Sequence, residues 1–376
     1  MTENWIRLKY RQKKGLKNNM KKTIVFTGGG TGGHVYPALP IIKKLQDQGY
    51  RILWIGSHRG IEKRIVQSWG IEYRGISTGK LRRYFSLKNF TDIFRIKLGF
   101  FQSLRILNKI KPVLIFSKGG FVSVPPLTAG YILKIPCYTH DSDVVPGLAT
   151  RINHKMTRNT FLAYEESRSY LGGNSEKIVV SGNPVREEFF DKNQKLPDIW
   201  EKRIGERPLL MVLGGSSGAS QINELILESL SELCSRYTII HQMGDELFKE
   251  DNTSEHYYPV PYLNEELPAL LRRADIAVAR SGAGTLWELA VSATPSILIP
   301  LRAGSRGDQI LNAEMLRKRE MAIVIEDENP ESFQIRDLLI ELADNNEKLE
   351  RMKDNCAGFM KKKAEDVIVS YLIKES

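Results

Sequence analysis

A glycine-rich loop between an apolar strand and a helix constrains the fold of this chain more than any other stretch. The apolar, β-prone residues 23–26 precede the loop at 28–34, which reads Gly-Gly-Gly-Thr-Gly-Gly-His, and a helical pattern follows at 37–48. Glycine tolerates positive φ and lets backbone N–H groups approach an anion, and the N-terminus of the next helix adds a partial positive charge. This order of elements predicts a phosphate or diphosphate site at the end of the first strand.

Strand, loop and helix alternate along the rest of the chain and predict two α/β halves. The first half continues with strands expected at 51–56, 71–76, 113–116, 136–139, 156–161 and 177–181. The second half opens in the same way, with strands expected at 209–213, 237–242, 257–259, 276–279, 296–300 and 322–325. Such alternation is typical of doubly wound parallel sheets, whose ligands bind beyond the carboxyl ends of the strands. We therefore expect two Rossmann-like domains that face each other across a cleft for two substrates.

Composition divides the chain into five segments. Residues 1–19 carry six basic side chains and one acidic one, and they are expected to form a disordered leader or an ordinary solvated tail. Residues 20–186 form the predicted first domain, and the polar stretch 187–207 forms the linker. Residues 208–345 form the predicted second domain, and a charged helix over 346–376 ends the chain.

Several classes of protein are excluded by the composition. No run of 18 apolar residues occurs, so no transmembrane helix is expected. The three cysteines, Cys137, Cys234 and Cys356, are scattered and suit neither a disulfide framework nor a zinc knuckle, which fits a reducing cytoplasm. The net charge of +11 favours an anionic partner, such as a membrane surface, a nucleic acid or a phosphorylated substrate.

The most basic stretch outside the first 19 residues is 80–111. It holds nine lysines and arginines against one acid, Asp92, with six aromatic residues between them. One interpretation is a face that lies on anionic lipid. The other is an ordinary amphipathic helix whose aromatic side belongs to the core, because surface helices usually bury one face.

The end of the glycine loop offers a candidate base. His34 has an ordinary pKa near neutrality and could accept a proton from a substrate hydroxyl, or it could simply hydrogen-bond within the loop. A dinucleotide site would need an acid after the second strand, but residues 56–58 read Gly-Ser-His. The loop also lacks the Gly-Lys-Ser/Thr of a P-loop.

Two groups of carboxylates stand after other predicted strands. Asp141 and Asp143, which follow His140 in a predicted loop, could hold a metal against a diphosphate, but they lie in the first half, so contact with an acceptor is the favoured interpretation. Glu288 lies one turn into a helix opened by a glycine loop. It suits bonding to vicinal hydroxyls; the other interpretation is an acid that the helix dipole favours.

Seven segments, in this order, resemble the MurG family of bacterial peptidoglycan glycosyltransferases over residues 20 to about 370. They are 27–37, 119–123, 146–149, 182–186, 214–219 with Asn223, 280–288, and 308–309 with Asn312 and Ala313. The resemblance implies a GT-B fold whose terminal helix returns to the first domain. It implies inverting transfer of N-acetylglucosamine from its UDP sugar to the 4-hydroxyl of the N-acetylmuramyl unit of lipid I, giving lipid II. No cofactor, metal or nucleic acid is expected, and the enzyme would be peripheral on the cytoplasmic face of the inner membrane.

The resemblance also assigns residues to two sites. The UDP-sugar site would comprise Arg186, Gly215, Ser216, Gly218, Leu263, Ser281, Gly282, Glu288 and Gln309. The lipid-linked acceptor site would comprise Thr31, Gly32, Gly33, His34, Phe121, His140, Asp141, Asp143 and Asn223, with His34 as the catalytic base.

One departure from the family keeps the acceptor open. The family commonly has His-Glu-Gln-Asn where residues 140–143 read His-Asp-Ser-Asp. A related transferase that uses diacylglycerol or another polyprenyl diphosphate is therefore the alternative. A non-hydrolysing UDP-sugar epimerase and an inactive membrane scaffold are the other two, and the joint presence of His34, Arg186, Glu288 and Gln309 argues against the scaffold.

Overall fold

A computed structural model describes residues 22–79, 88–172, 175–214, 219–248, 253–302, 307–359 and 362–374. The predicted leader at 1–19 and the donor-loop residues Gly215, Ser216 and Gly218 lie outside these ranges.

Thirteen strands of the described chain form two wholly parallel sheets. The first sheet has the order β3-β2-β1-β4-β5-β6-β7, and the second has the order β10-β9-β8-β11-β12-β13. The strands are β1 (Thr23–Thr27), β2 (Arg51–Ser57), β3 (Glu72–Ile76), β4 (Leu114–Ser117), β5 (Cys137–Asp141), β6 (Asn159–Leu162), β7 (Ile178–Val180), β8 (Leu209–Leu213), β9 (Thr238–Gln242), β10 (Tyr257–Val260), β11 (Ile276–Ala279), β12 (Ser296–Leu298) and β13 (Ala322–Val324). The predicted pair of doubly wound domains is confirmed.

Fourteen α-helices connect and cover these strands. They are α1 (Ala38–Asp47), α2 (Ile61–Ser68), α3 (Lys88–Ile110), α4 (Val124–Ile132), α5 (Leu148–His154), α6 (Asp198–Ile204), α7 (Ser220–Glu228), α8 (Leu230–Arg236), α9 (Leu267–Arg273), α10 (Ala283–Val291), α11 (Asp308–Arg317), α12 (Ser332–Ala343), α13 (Asn346–Phe359) and α14 (Ala364–Ile373). These are the helices of the described residues only.

The two faces of the first sheet are covered by different helices. On one face, Ile41 of α1, Val66 of α2 and Ile368 of α14 share a buried cluster with β1 and β2. On the other face, Leu107 of α3 and Leu127 of α4 pack with the opposite side of the same strands. The strand order explains this division. The chain moves in one direction from β1 to β3 and in the other from β4 to β7, and right-handed crossovers in opposite directions place their helices on opposite faces. The carboxyl ends of all the strands therefore meet at one edge, where the glycine loops lie.

The end of the chain differs from the single helix predicted over 346–376. The structure has two helices there, because Lys363 is extended, with ψ of 120°, just before α14 begins. The first, α13, packs on the second domain through Cys356. The second, α14, joins the core of the first domain, where Tyr371 meets Phe161 edge to face at 5.6 Å. The predicted linker at 187–207 likewise contains two short helical segments, Glu187–Phe190 and α6.

Direct contacts join the two domains beside the carboxyl ends of both sheets. The Asn312 side chain accepts a hydrogen bond from Val144 N (3.0 Å) and donates one to Asp143 Oδ1 (2.9 Å). Farther out, Arg319 pairs with Glu166 at 2.8 Å. One amide at the start of α11 thus holds the β5 loop of the first domain against the second domain.

Candidate active site

The floor of the site consists of two glycine loops in contact, one after β1 and one after β4. Gly30 has φ of +95°, and a Cβ there would lie 2.8 Å from the Phe121 ring. Gly120 has φ of +76°, and a Cβ there would lie 2.1 Å from the carbonyl oxygen of Gly29. Both positions therefore need glycine for conformation as well as for space. The close contact fixes the first loop against the second and brings Phe121 beside it.

A buried carboxylate that the sequence analysis missed supports the first loop from beneath. Glu62, at the start of α2, is 0% exposed and accepts hydrogen bonds from Ser57 N (2.9 Å) and Gly30 N (3.3 Å). One amide of the glycine loop is thus already directed at a protein carboxylate rather than at a ligand. In the sequence, an acid in the first turn of a helix indicates only a favourable dipole interaction, so nothing distinguished Glu62.

The candidate base has one ring nitrogen held by the backbone. Nδ1 of His34 lies 3.2 Å from the carbonyl oxygen of Lys118, which can only accept, so Nδ1 carries the hydrogen and Nε2 is left as the basic nitrogen. Burial lowers the pKa of His34, and the nearby Lys118 lowers it further, while Asp141 and Asp143 oppose the shift. The imidazole is therefore neutral near pH 7 and is able to accept a proton.

Beneath His34 lies a second missed residue, the buried lysine Lys118. Its side chain is 1% exposed, and its Nζ lies 2.6 Å from His140 Nδ1 and 2.6 Å from Ser142 Oγ. Burial lowers the pKa of Lys118 to about 7, although Asp141 and Asp143 favour the charged form. The two side chains that directly contact Nζ, His140 and Ser142, are neutral, so the charged ammonium carries a desolvation cost. Most lysines avoid this cost because the end of the side chain reaches solvent.

Hydrogen bonds extend from this lysine to the segment that leads into the second domain. His140 Nε2 donates to the carbonyl oxygen of Gly182 (2.9 Å), and Ser142 Oγ donates to Asn183 Oδ1 (2.7 Å). His140 is the fourth residue of β5 and is 0% exposed, so it lies in a strand rather than in the predicted loop. Because both of its ring nitrogens are occupied, His140 can support an acceptor site but offers no surface to a substrate.

The two aspartates at the end of β5 are held by amides; Asp141 is the last residue of the strand rather than part of the predicted loop, and Asp143 follows it in the loop. Asp141 accepts from the backbone N–H groups of Asp143 and Gly147, both at 3.1 Å. Asp143 is bonded by Asn312, and burial together with the charge of Asp141 raises the pKa of Asp143. Within the described part of the chain, no group of three or more His, Cys, Asp or Glu side chains is arranged to hold a metal ion.

Across the interface, Arg186 and Glu288 of α10 approach each other beside the second sheet. Arg186 Nη2 lies 3.9 Å from Glu288 Oε1, and the same guanidinium donates to Asn264 Oδ1 at 2.8 Å. Burial raises the pKa of Glu288 to about 7, opposed by the charge of Arg186. Both side chains keep some exposure, so a ligand can reach them.

The other predicted donor residues that the structure describes follow β10, β11 and β12 along the chain. Ser281 and Gly282 form the turn from β11 into α10, and the buried Ser281 hydroxyl has no hydrogen-bond partner among the described residues. Leu263 is buried and its N–H donates to Gln242 Oε1 (3.0 Å), while Gln309 Oε1 accepts from Leu301 N (2.9 Å).

The remaining acceptor residues divide into two groups. Thr31, Gly32 and Gly33 lie with His34 in a short 3-10 turn, where Thr31 and Gly33 are exposed. Asn223 instead lies in α7 of the second domain, 3% exposed, with its amide bonded to His241 and to the carbonyl oxygen of Met243. The structure thus brings the β1-loop residues together with Phe121 and Asp143 but does not bring Asn223 to them.

Comparison with known proteins identifies the family. The chain matches the glycosyltransferase family 28 N-terminal domain over residues 24–162 and the C-terminal domain of the same family over 209–368. It is 41% identical over 379 residues to a Treponema denticola protein described as a UDP-N-acetylglucosamine--N-acetylmuramyl-(pentapeptide) pyrophosphoryl-undecaprenol N-acetylglucosamine transferase. That match covers 93% of this chain and 97% of the relative.

Solved structures share the same two-domain fold. The crystal structure of MurG from Acinetobacter baumannii matches with a TM-score of 0.74 at 23% identity and covers 94% of this chain and 99% of that one. A Listeria monocytogenes protein assigned as a UDP-N-acetylglucosamine 2-epimerase matches with a TM-score of 0.68 at 12% identity, covering 95% and 98%. The fold alone therefore does not separate transferase from epimerase, but the match in sequence does. The chain belongs to the MurG family, within glycosyltransferase family 28.

Proposed function

We propose that this enzyme transfers N-acetylglucosamine from UDP-N-acetylglucosamine to the 4-hydroxyl of the N-acetylmuramyl unit of lipid I and so makes lipid II. The description of the Treponema denticola relative supports this substrate pair. The observation that carries the proposal is the Asn312 amide, which hydrogen-bonds Asp143 beside the acceptor loop and lies 3.5 Å from the carbonyl oxygen of Ser281 in the donor domain. This contact supports a proposed base and a proposed nucleotide site that face one cleft.

The chemistry is a single inverting displacement. The acceptor hydroxyl oxygen attacks C1 of the donor sugar from the face opposite UDP, and its proton moves to Nε2 of His34. The bond between C1 and the UDP oxygen breaks, and both electrons leave with UDP. His34 suits this role because its tautomer leaves Nε2 unprotonated. Arg186 and the N-terminus of α10 would stabilise the charge on the departing diphosphate.

The donor would lie along the carboxyl edge of the second sheet. Glu288 would accept hydrogen bonds from the ribose hydroxyls, and the backbone at Leu263 would contact uracil. Gln309 would contact the sugar, and Ser281 with Gly282 would line the turn beneath it. The unpartnered Ser281 hydroxyl supports a polar ligand at this turn. Gly215, Ser216 and Gly218 are proposed for the diphosphate from the family resemblance alone, because they lie outside the described residues.

The acceptor would lie over the first domain, with its diphosphate on the exposed turn of Thr31, Gly32 and Gly33 and with Phe121 at its side. Asp141 and Asp143 would stabilise the imidazolium that forms on His34. The buried contacts of Asn223 favour a role in supporting the second domain over one in acceptor binding.

A membrane surface is the proposed partner of α3. Among the described residues of this helix, Phe94 (71% exposed), Leu98 and Phe101 (64% exposed) form an apolar stripe in solvent, and Arg95 and Lys97 flank it. The opposite side of α3 packs in the core, so both interpretations of this stretch apply to different faces of one helix. Arg82 and Arg83 lie outside the described residues. No helix of the described chain is long and apolar enough to cross a membrane. We propose peripheral binding at the cytoplasmic face of the bacterial inner membrane.

The test is a transfer assay with radiolabelled UDP-N-acetylglucosamine, with lipid I and diacylglycerol offered as separate acceptors, each with and without EDTA. We expect label in lipid I under both conditions. Transfer to diacylglycerol alone would replace the acceptor while keeping the donor site. Loss of transfer in EDTA would show that a metal takes part, and the pair Asp141 and Asp143 would be the first place to look for it.

A further inference from the structure

A basic groove lies beside the acceptor loop and has no role in the function proposed above. It has a volume of about 590 Å³ and opens where β2 passes into α2. Its basic lining side chains are His58, Arg59, Lys63 and Arg64.

The acid nearest to this groove does not form an ion pair with the cations of the groove. Glu62 is the acid in this turn, but its carboxylate is turned inward to Ser57 and Gly30. Within the described chain, the side chains of Arg59, Lys63 and Arg64 are exposed and have no ion-pair partner. Three unpaired cations around one groove repel each other, and an anion relieves that repulsion.

The groove is fixed in place next to the acceptor loop. β2 is the hydrogen-bonded neighbour of β1, so the ends of the two strands lie about 5 Å apart. The Glu62 carboxylate joins both ends, since it binds Ser57 of β2 and Gly30 of the β1 loop. A peptide attached to an acceptor sugar beside His34 would extend about 3.4 Å per residue, so a short peptide would span the distance between neighbouring strand ends.

The groove belongs to the face of the sheet away from the proposed membrane surface. α2 packs with α1 and α14 on one face, whereas the apolar stripe of α3 belongs to the other. When α3 lies on lipid, Arg59 and Arg64 therefore point toward water. A lipid headgroup is less well placed to reach them than a soluble part of the acceptor.

We propose that this groove binds the carboxylate-bearing peptide of the acceptor and thereby contributes to the choice of acceptor. The inference rests on the proposed function, because it takes the acceptor to be a sugar that carries a peptide. Arg59 and Arg64 would pair with peptide carboxylates, and Lys63 would add to the local field. The diphosphate remains on the β1 loop, so the groove is a separate subsite for the peptide.

The experiment compares two water-soluble acceptors that carry the same short prenyl diphosphate. One bears the full pentapeptide, and the other bears a single uncharged alanine amide. The R59Q/R64Q variant is compared with K195Q/K202Q, which removes two exposed positive charges that have no ion pair among the described residues and lie between the domains. Binding of fluorescent versions of both acceptors is measured alongside KM and kcat.

We expect R59Q/R64Q to weaken binding of the pentapeptide acceptor about fivefold and to raise its KM similarly, as for two solvent-exposed ion pairs. Binding of the alanine acceptor and the KM for UDP-N-acetylglucosamine should stay unchanged in R59Q/R64Q. The control variant K195Q/K202Q should bind both acceptors as the wild type does. Equal weakening for both acceptors would assign the groove to the diphosphate and overturn the proposal. No weakening for either would also overturn it.

The proposed function and the proposed role of the groove can be refuted separately. If the wild type binds the pentapeptide acceptor tightly and R59Q/R64Q does not, the groove stands even when no sugar is transferred. If transfer occurs but the peptide makes no difference to binding, the proposed function stands and the groove proposal fails. Reduced binding of R59Q/R64Q to anionic vesicles, with unchanged affinity for both soluble acceptors, would assign the groove to lipid headgroups instead.

Discussion

The two halves of the cleft are built differently around the same topology. On the acceptor side, the polar groups nearest the loop are buried and already bonded: Glu62 holds Gly30, and Lys118 holds His140 and Ser142. On the donor side, Arg186 and Glu288 keep some exposure and lie 3.9 Å apart, longer than a hydrogen bond. The acceptor side is thus organised before its substrate arrives, whereas the donor side has polar groups that a ligand can still engage.

This difference suits the two substrates. A buried network is rigid and expensive to disturb, which fits a side that must hold a base in one tautomer and one position. A carboxylate beside a guanidinium in partial contact with solvent can exchange water for a nucleotide at small cost. We therefore expect changes on the acceptor side to affect kcat and the pH profile, and changes on the donor side to affect nucleotide affinity.

Removal of the proposed base should have the largest effect. H34A should lower kcat by about 10² to 10⁴, the usual contribution of a general base, and should leave the KM for UDP-N-acetylglucosamine unchanged. Steady-state kinetics and equilibrium binding of UDP provide the measurement. An unchanged kcat would remove His34 as the base.

The buried lysine offers the next test of acceptor-side organisation. In K118M the positive charge that lowers the pKa of His34 is lost, so that pKa should rise and the acidic limb of the kcat profile should move to higher pH. Relative to the wild type, we expect kcat of K118M to fall more at pH 6 than at pH 8. The control S142A removes a hydrogen-bond partner of Lys118 but no charge, so its acidic limb should stay in place.

The low pKa of Lys118 should also affect how stability depends on pH. Its pKa is about 7 in the folded protein and lies below its ordinary value of 10.5, so between these pH values the unfolded chain binds more protons. Stability therefore rises with pH in this range, and this contribution is absent in K118M. Urea unfolding at pH 7 and pH 9 should show a smaller gain for K118M than for the wild type. Equal gains would mean that Lys118 titrates normally.

On the donor side, Glu288 should control nucleoside binding through its charge. Its pKa of about 7 lies above the ordinary 4.5, so the carboxylate proposed to accept ribose hydrogen bonds becomes ionised as pH rises through 7. Uridine, which is neutral over this range, should bind about fivefold more tightly at pH 8 than at pH 6, a difference of about 1 kcal/mol. E288Q should bind weakly at both values. A wild-type affinity independent of pH would refute the ribose assignment.

Sequence reasoning found the strands but not the groups beneath them. The strands of both sheets could be predicted because they include short apolar runs such as β1 and β8, which glycine follows directly, and parallel pairing buries such runs on both sides. His34 and Glu288 stood out because His34 ends the first glycine loop and Glu288 lies one turn into a helix opened by another, whereas Arg186 was assigned only through the family resemblance. Lys118 and Glu62 did not, because only the tertiary structure shows that a charged side chain points inward. The division of the last 30 residues into two helices also depends on tertiary structure, since α13 and α14 pack on different domains.

The smallest expected effect concerns the outer surface of α3, where neither side of the cleft is involved. R95Q/K97Q should weaken binding to anionic vesicles about threefold at low salt and by less at 0.5 M salt, because exposed charges are screened. F94S/L98S should weaken binding at both salt concentrations, since Phe94 and Leu98 are exposed apolar side chains whose burial in lipid does not depend on salt. Vesicle co-sedimentation measures both, and kcat with a water-soluble acceptor should remain at the wild-type value. A fall in that kcat would mean that α3 acts on the cleft itself. The two sides of the cleft would then not be independent, because α3 would connect them.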